Sequence, residues 1–277
     1  MYKLLIISFF LITQAEAVAQ NIKIITYNIR LDVASDGENN WDHRKDFLAA
    51  QIQFYEPDIF GTQESQQHQV EYLTQNLPEY SHIGLGRDEN GGGESTSVFY
   101  KKNRFDVNQP STFWLSETPD RPSKGWDAAV RRICTFALFF DKTTNQNFWV
   151  FNTHLDHRGV EARGKGVALI LEKMKEVNKQ KLPVIFMGDF NAEPDEAVIQ
   201  NLRKVMNDTR IVSEGKPFGP SGTFNGFEFA KPVTKLIDYI FVKQISVKKY
   251  AVLSDSNDLR YPSDHLPVYV ELFIPSK

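Results

Sequence analysis

Short apolar runs in this chain break repeatedly into a carboxylate, an amide or an imidazole, and that recurrence limits what the chain can become. The sharpest case is residues 182–187, an apolar run followed at once by Gly188-Asp189-Phe190-Asn191. Side chains alternate along a strand, so Asp189 and Asn191, two positions apart, project to the same side at a strand's exit. Residues 21–29 read as a strand ending in Tyr27-Asn28, 58–61 run into Gln63-Glu64, and 148–152 run into His154. The run 236–242 carries Asp238, and Ser263-Asp264-His265 stands at the foot of the last strand. Open α/β sheets bind ligands at the mouth formed by their strand ends. Six ends bearing Asp, Glu, Asn or His therefore read as one active site, and the fold must bring them together.

No Pro/Gly/Ser linker, internal repeat or low-complexity block divides the 277 residues, and 21 Phe supply a large core. The expectation is a signal peptide over 1–19 and a single domain over 20–277. Lys3 provides a minimal positive start, 4–12 an apolar stretch too short for a membrane span, and Ala15, Ala17 and Ala19 small-x-small cleavage sites. Export to the periplasm or beyond the cell follows as an expectation, with a mature chain from Gln20 and no cysteine near the cut to carry a lipid. A net charge of −3 counts against a protein that tracks long nucleic acid, while leaving room for a small phosphorylated substrate. Cys134 is the only cysteine and lies in the apolar run 133–140, where it reads as a buried, inert thiol. Neither an internal disulfide nor a cysteine-based zinc site is possible, and nothing points to a partner protein.

The spacing predicts strands near 22–30 and 58–64, and a helix over 42–55 with Leu48, Ile52 and Tyr55 at helical intervals before Pro57. An amphipathic segment follows over 66–77. The signal then turns to β, with strands at 95–100, 113–115, 133–140 and 148–151, and long loops around 91–93 and 119–125. A long helix is expected over 159–178, and three strands close the chain near 234–242, 245–253 and 266–273. Helix–strand alternation at both ends around a β-rich middle implies an α/β (α+β) fold: a four-layer α/β sandwich, with two packed mixed β-sheets flanked by helices.

Asn28, Glu64, Asp189, Asn191, Asp238 and Asp264 are all oxygen donors, a set suited to a hard divalent cation such as Mg²⁺ or Mn²⁺. His154 and His265 are too few for a typical zinc constellation. A metal, a base and hydrogen-bonding groups together provide what hydrolytic attack on phosphorus requires.

The motifs Thr26-Tyr27-Asn28-Ile29-Arg30, Gln63-Glu64, Asn152-Thr153-His154, Gly188-Asp189-Phe190-Asn191, Ile237-Asp238-Tyr239-Ile240 and Ser263-Asp264-His265-Leu266-Pro267 occur in order over about 22–273. In that order they resemble the endonuclease/exonuclease/phosphatase superfamily, which includes pancreatic deoxyribonuclease. Phe113-Trp114-Leu115-Ser116 with Gly125-Trp126-Asp127 narrows the resemblance to exported bacterial members. The resemblance implies that Glu64 is the principal metal ligand, with Asn28 and Asp264 nearby. It implies that Asp189 orients or deprotonates the attacking water and that Asn191 holds it or a phosphoryl oxygen. Asp238 would fix the tautomer of His265 and raise its pKa, and His154 would act as general acid or stabilise the transition state.

Taken singly, Asp189 and Asn191 also suit a helix N-cap, Glu64 a solvated strand end, and Asn28 or Asp264-His265 a turn. Asp238 interrupts an apolar strand and needs a partner. Weaker candidates for substrate contact are Arg131, Arg132, Trp126, Asn225 and His157; Glu94 is set to pair with His154 or face substrate, and Trp41 with Arg44 to wall the cleft. The leading reading is an exported, metal-dependent phosphohydrolase, with a phosphodiester of a nucleotide, oligonucleotide or lipid headgroup favoured because His154 fits protonation of a poor leaving group. The alternatives are a phosphomonoesterase of the inositol-phosphate type, a catalytically silent binding module, and a sugar hydrolase using Glu64 and Asp189 as paired carboxylates.

Overall fold

A computed structural model describes residues 21–275; the expected signal segment and the start at Gln20 lie outside the described residues. Those residues form β1 (Ile22–Asn28), α1 (Trp41–Tyr55), β2 (Ile59–Gln63), α2 (Gln67–Asn76), β3 (Tyr80–Ile83), β4 (Val98–Lys101), β5 (Phe105–Trp114), β6 (Ile133–Asp141) and β7 (Gln146–His154). They continue through α3 (Val160–Val177), β8 (Val184–Asp189), α4 (Ala197–Arg203), β9 (Asn207–Asp208), α5 (Thr209–Val212), β10 (Asp238–Lys243), β11 (Ser246–Val252) and β12 (Val268–Phe273). None of the described helices is long and apolar enough to cross a membrane.

The strands form two six-stranded sheets, ordered β11-β12-β1-β2-β4-β3 and β5-β6-β7-β8-β10-β9. Between them lies an aliphatic and aromatic core, with Ile24, Ile59, Val268 and Val270 of the first sheet facing Phe139, Val150, Ile185, Met187 and Ile240 of the second. The outer face of the first sheet packs Ile25, Tyr27, Phe60 and Phe99 against Leu48, Ile52, Val70 and Leu73 of α1 and α2. The outer face of the second packs Phe151, Phe186 and Phe241 against Val167, Ile170 and Met174 of α3 and Ile199 and Leu202 of α4. Each helix covers its sheet with a stripe repeating every three to four residues, which removes both apolar surfaces from water. The order helix, sheet, sheet, helix is the expected four-layer sandwich.

Some boundaries differ from the sequence pattern, each for a local reason. β1 stops at Asn28 rather than 30, because Arg30 turns into the left-handed region (φ 58°). α1, by contrast, ends at Tyr55 as expected, capped by the left-handed Glu56 (φ 48°) immediately before Pro57, which disfavours a helical residue ahead of it. β5 is much longer than the expected 113–115. Its first half, Asp106 to Thr112, is polar and contains Pro110, which an edge strand tolerates, and its register against β6 shifts between Asn108 and Ser111. The short β9 and α5 carry no readable period, and β10 begins at Asp238 rather than 234.

The two sheets present their strand ends in a matching way. In the first, β1 and β2 run parallel and β12 antiparallel to β1, so the exits of β1 and β2 and the entry of β12 share one edge. In the second, β7 and β8 run parallel and β10 antiparallel to β8, with the same consequence. A buried polar bridge joins the sheets just behind that edge. Gln63 Nε2 donates to Asn152 Oδ1 (2.7 Å) and Thr26 Oγ1 (3.0 Å), while Asn152 Nδ2 donates to the carbonyls of Thr62 and Ser97 (both 2.9 Å). Polar groups this deep are stable only when paired, so the bridge fixes one sliding position of sheet on sheet.

Candidate active site

β8 delivers Asp189 through a bend that only glycine allows. Gly188 has φ 148°, and a Cβ there would stand 2.0 Å from the Thr153 carbonyl oxygen on β7. Asp189 is thereby set between His154 on the parallel strand and Asp238 on the antiparallel one, its direct register partners. Both its carboxylate oxygens are held: Oδ1 accepts from the Asn191 backbone N–H (2.8 Å) and Oδ2 from Asn28 Nδ2 (2.9 Å). Asn28 comes from the other sheet, and its amide also donates to Glu64 Oε1 (3.1 Å). Glu64 (φ 60°) and Asn191 (φ 47°) occupy the left-handed region, as residues at functional sites often do.

His265 of the first sheet meets Asp238 of the second through Nδ1···Oδ2 at 2.8 Å, with both side chains buried. The Asp238 backbone N–H, with that of Ile237, donates to Thr223 Oγ1 (both 3.2 Å), and Phe224 stands edge-on to the His265 ring at 5.2 Å. Burial opposes a charge on His265, yet the charge and hydrogen bond of Asp238, with Asp189 and Asp264 beyond, push it up to about 10. The imidazolium therefore keeps Nε2–H available toward Asp189 Oδ2 (3.8 Å), while the Asn28 amide nitrogen 3.4 Å away is itself a donor and does not take it up. Asp189 is pushed up to about 7, first by burial and then by the Asp238 charge. A carboxyl group that changes charge near neutrality has the poise a general base requires.

Glu64 and Asp264 flank Arg30, whose Nη1 lies 3.9 Å from a carboxylate oxygen of each. Asp264 is 8% exposed, and among the described residues the one hydrogen bond to its carboxylate is a 3.4 Å contact from Ser263 Oγ. Burial, then the nearby Glu64 charge against the pull of His265, raises its pKa. Two hard carboxylates and the Asn28 amide oxygen, so sparsely neutralised, fit a divalent cation. Asp189, Asp238 and His265 also offer ligand atoms within 4.8 Å of one another. That trio is the poorer cradle, since Nδ1 of His265 is engaged by Asp238 and an imidazolium has no lone pair to give.

His154 is buried at the exit of β7, with Nε2 3.4 Å from Asp189 Oδ2. Arg132 Nη1 lies 2.9 Å from its Nδ1, and a guanidinium can only donate. Nδ1 must therefore accept, which leaves the ring proton on Nε2, toward Asp189; the Asn191 nitrogen 3.0 Å from Nε2 is itself a donor, committed to the Leu155 carbonyl, and does not accept that proton. Burial and the Arg132 charge depress the His154 pKa well below the usual histidine range. A neutral imidazole with a fixed N–H is a hydrogen-bond donor, which suits the stabilising half of the expectation for His154. Arg132 is oriented in turn beside Asp156, whose carboxylate lies 3.6 Å from Nε. Asp156 accepts backbone N–H bonds from Ala129, Val130, Arg158 and Gly159, and these overcome burial to hold its pKa at about 2.

The weaker candidates divide. His157 is exposed at the rim and accepts from Arg132 Nη2 (3.1 Å). Arg131 borders the recess formed by Arg87, Arg132 and His154, but its guanidinium pairs with Asp88 (3.2 Å) and Glu89 (3.4 Å). Asn225 is buried, donating to the Ser263 carbonyl (3.0 Å) and accepting from Phe227 N–H (2.7 Å). Trp126 is a partly buried rim residue under Lys165. Glu94 pairs with Arg87 (2.9 Å), not with His154. Trp41 and Arg44 are core rather than cleft wall, Arg44 donating to the Ile29, Arg30, Asn39 and Pro262 carbonyls. Arg30, Thr223 and Asp156 went unassigned in the sequence; only the place of Asp156, two residues past His154, hinted at a role.

Residues 25–265 match the model of the Endonuclease/Exonuclease/phosphatase family. A solved structure of a protein of this family from Bacteroides thetaiotaomicron is 38% identical, with a TM-score of 0.88 over 93% of this chain and 99% of that one. A mannosyl-6-phosphatase from the same organism is 39% identical, with a TM-score of 0.86 over 91% and 99%. The human nocturnin catalytic domain, at 22% identity and a TM-score of 0.73 over 92% and 95%, shares the fold. Among curated sequences, an uncharacterized mimivirus protein is 29% identical over 59% of this chain and 63% of its own length. Mouse nocturnin is 23% identical over 88% of this chain and 64% of its own, so the chain spans under two thirds of both relatives. With most of its length matched by the family model, and two near-full-length structural relatives approaching two fifths identity, the chain belongs to the endonuclease/exonuclease/phosphatase family.

Proposed function

We propose that this chain is an exported, divalent-metal-dependent phosphoester hydrolase. The observation that carries the reading is the convergence of Asn28, Glu64 and His265 from one sheet with His154, Asp189 and Asp238 from the other, tied by the 2.8 Å His265–Asp238 bond. A bound Mg²⁺ or Mn²⁺, held by Glu64 with Asp264 and Asn28, would neutralise charge on the phosphoryl oxygens. Asp189, pinned at both oxygens, accepts a proton from the attacking water. His265 donates its Nε2–H to a phosphoryl oxygen, the Asn191 amide fixes the water or a phosphoryl oxygen relative to Asp189, and Asn28 aligns the Glu64 and Asp189 carboxylates with its two amide protons. The fixed N–H of His154 stabilises developing charge from the opposite sheet.

Beside Arg132 and with a depressed pKa, His154 stays neutral and gives a leaving group its proton less readily than an imidazolium would, which weighs toward the phosphomonoesterase alternative. The near-full-length likeness to a mannosyl-6-phosphatase favours a monoester of a small hydrophilic molecule, a sugar phosphate first. The test is a panel of mannose 6-phosphate, p-nitrophenyl phosphate, bis-p-nitrophenyl phosphate and an oligonucleotide, each with Mg²⁺, with Mn²⁺ and with EDTA, beside Asp189→Asn. Chelator-sensitive release of phosphate from the monoesters, absent in the variant, is the expected result. Cleavage confined to the diesters would return the substrate to the nucleotide class. Silence across the panel, with no shift in melting temperature on adding either metal, would leave a binding module.

A further inference from the structure

At the far end of the second sheet, about 17 Å along β8 from Asp189 at ordinary strand rise, lies a recess with a volume of about 490 Å³, within the range of small-molecule sites. Its floor is apolar: Leu171 and Met174 of α3, Val184 at the start of β8, and Met206. Met174, Val184 and Met206 are buried core residues, whereas Val205 at the edge is 49% exposed. Four lysines line the same recess, Lys175, Lys179, Lys181 and Lys243, and all four are exposed. No Asp or Glu lines it, and no ion pair or side-chain hydrogen bond joins any of the four to another described residue.

That combination has a chemical meaning. In a chain of net charge −3, four unpaired ammonium groups around one apolar opening repel one another and are neutralised by nothing else in the wall. The floor would gain from covering by hydrocarbon, and the rim from a single anionic group. The burial gradient sets apolar atoms deep and charges at the mouth, a shape that admits one chain end-on and offers little protruding surface for insertion into a bilayer. We propose that this recess binds a monomeric, single-chain anionic amphiphile, a fatty-acid carboxylate, with its tail on Met174, Val184 and Met206 and its head among the lysines.

The experiment is calorimetric titration of the purified protein with dodecanoate below its aggregation concentration, with decanoate, dodecan-1-ol and anionic phospholipid vesicles as comparisons. Saturable binding of dodecanoate is expected. Decanoate should bind about fifteen-fold more weakly, since each buried methylene is worth roughly a factor of four, and the alcohol more weakly still. The double variant Lys179→Glu/Lys243→Glu should weaken dodecanoate at least several-fold at low salt while keeping the wild-type melting temperature within a degree or two. Met206→Glu should abolish binding, and Met206→Leu should retain it, separating lost binding from lost folding. The proposal is overturned by dodecanoate that fails to saturate, by equal affinity for acid and alcohol, by charge-reversed protein that binds as well as wild type, or by vesicle capture without monomer binding.

Discussion

Replacing Asp238 with Asn tests the bond on which the proposed chemistry depends. The carboxylate lies 2.8 Å from His265 Nδ1 in a buried setting, and His265 rises from an ordinary 6.5 to about 10. The folded state therefore holds a proton that the unfolded chain releases above pH 6.5. Stability from this source is full below pH 6.5, declines as pH rises, and is lost through about pH 10. Those two pKa values give about 4 kcal/mol at pH 7 and less than about 1 kcal/mol at pH 10, in line with the ~3–5 kcal/mol typical of breaking a buried ion pair. Asn keeps a neutral hydrogen bond of about 1 kcal/mol, and Asp189 and Asp264 still favour the charge, so Asp238→Asn should cost up to about 3 kcal/mol at pH 7. Asp189, raised to about 7, is mostly ionised by pH 7.5 and contributes only a few tenths of a kcal/mol of pH dependence between there and 10. The assay is urea denaturation of both proteins in EDTA at pH 7.5, 8.5 and 10, followed by tryptophan fluorescence. The stability gap should shrink steadily toward pH 10. A gap constant with pH, or one below 1 kcal/mol at pH 7.5, would refute the charged pair.

Gly188→Ala should cost at least about 3 kcal/mol and lower the melting temperature by several degrees, because a Cβ would meet a backbone oxygen at 2.0 Å; a wild-type melting curve contradicts the strained turn. Arg132→Gln should move His154 toward the ordinary histidine pKa, since it removes the charge fixed at Nδ1. Nitrogen-15 histidine spectra read this directly, and an unchanged Nε2–H tautomer with unchanged titration counts against Arg132 as its cause. Asp156→Asn should destabilise the protein by about 2 kcal/mol at pH 7, as expected for a carboxylate held near 2. Its contribution is present above the ordinary carboxylate pKa and lost as pH falls through about 2, so the variant and wild type should converge in acid denaturation between pH 4 and 2. A gap that persists at pH 2 points to packing instead.

Much of this architecture was legible because its main elements have strong periods. α1 and α3 repeat apolar residues at helical spacing against a sheet, and β7 and β8 are apolar runs that end in chemistry-bearing side chains. β5 escaped because an edge strand needs no buried alternation, and Asp106 to Thr112 is polar with a proline inside. The six principal site residues were visible as punctuation at strand exits, where order along the chain is enough. Contacts made by long side chains were not. Nothing in Arg131-Arg132 says that the second arginine turns inward to His154 and the first outward to Asp88; strand alternation sends them to opposite sides but does not choose which. The turn that Asn225 makes with Phe227 was equally unreadable, because an amide in a Gly-rich loop serves a turn as readily as a ligand.

The even division of the site between two sheets affects how activity is acquired. Asn28, Glu64 and His265 sit on or beside strand ends of one sheet, and His154, Asp189 and Asp238 on strand ends of the other, with the Gln63–Asn152 bridge, the Asn28–Asp189 and His265–Asp238 bonds and the shared core holding them in step. A chain with both sheets formed but still apart would have nearly all of its secondary structure and none of its chemistry. Turnover is then a reporter of docking: during refolding, ellipticity should return ahead of enzymatic rate, and the lag between them times the moment when the interior closes.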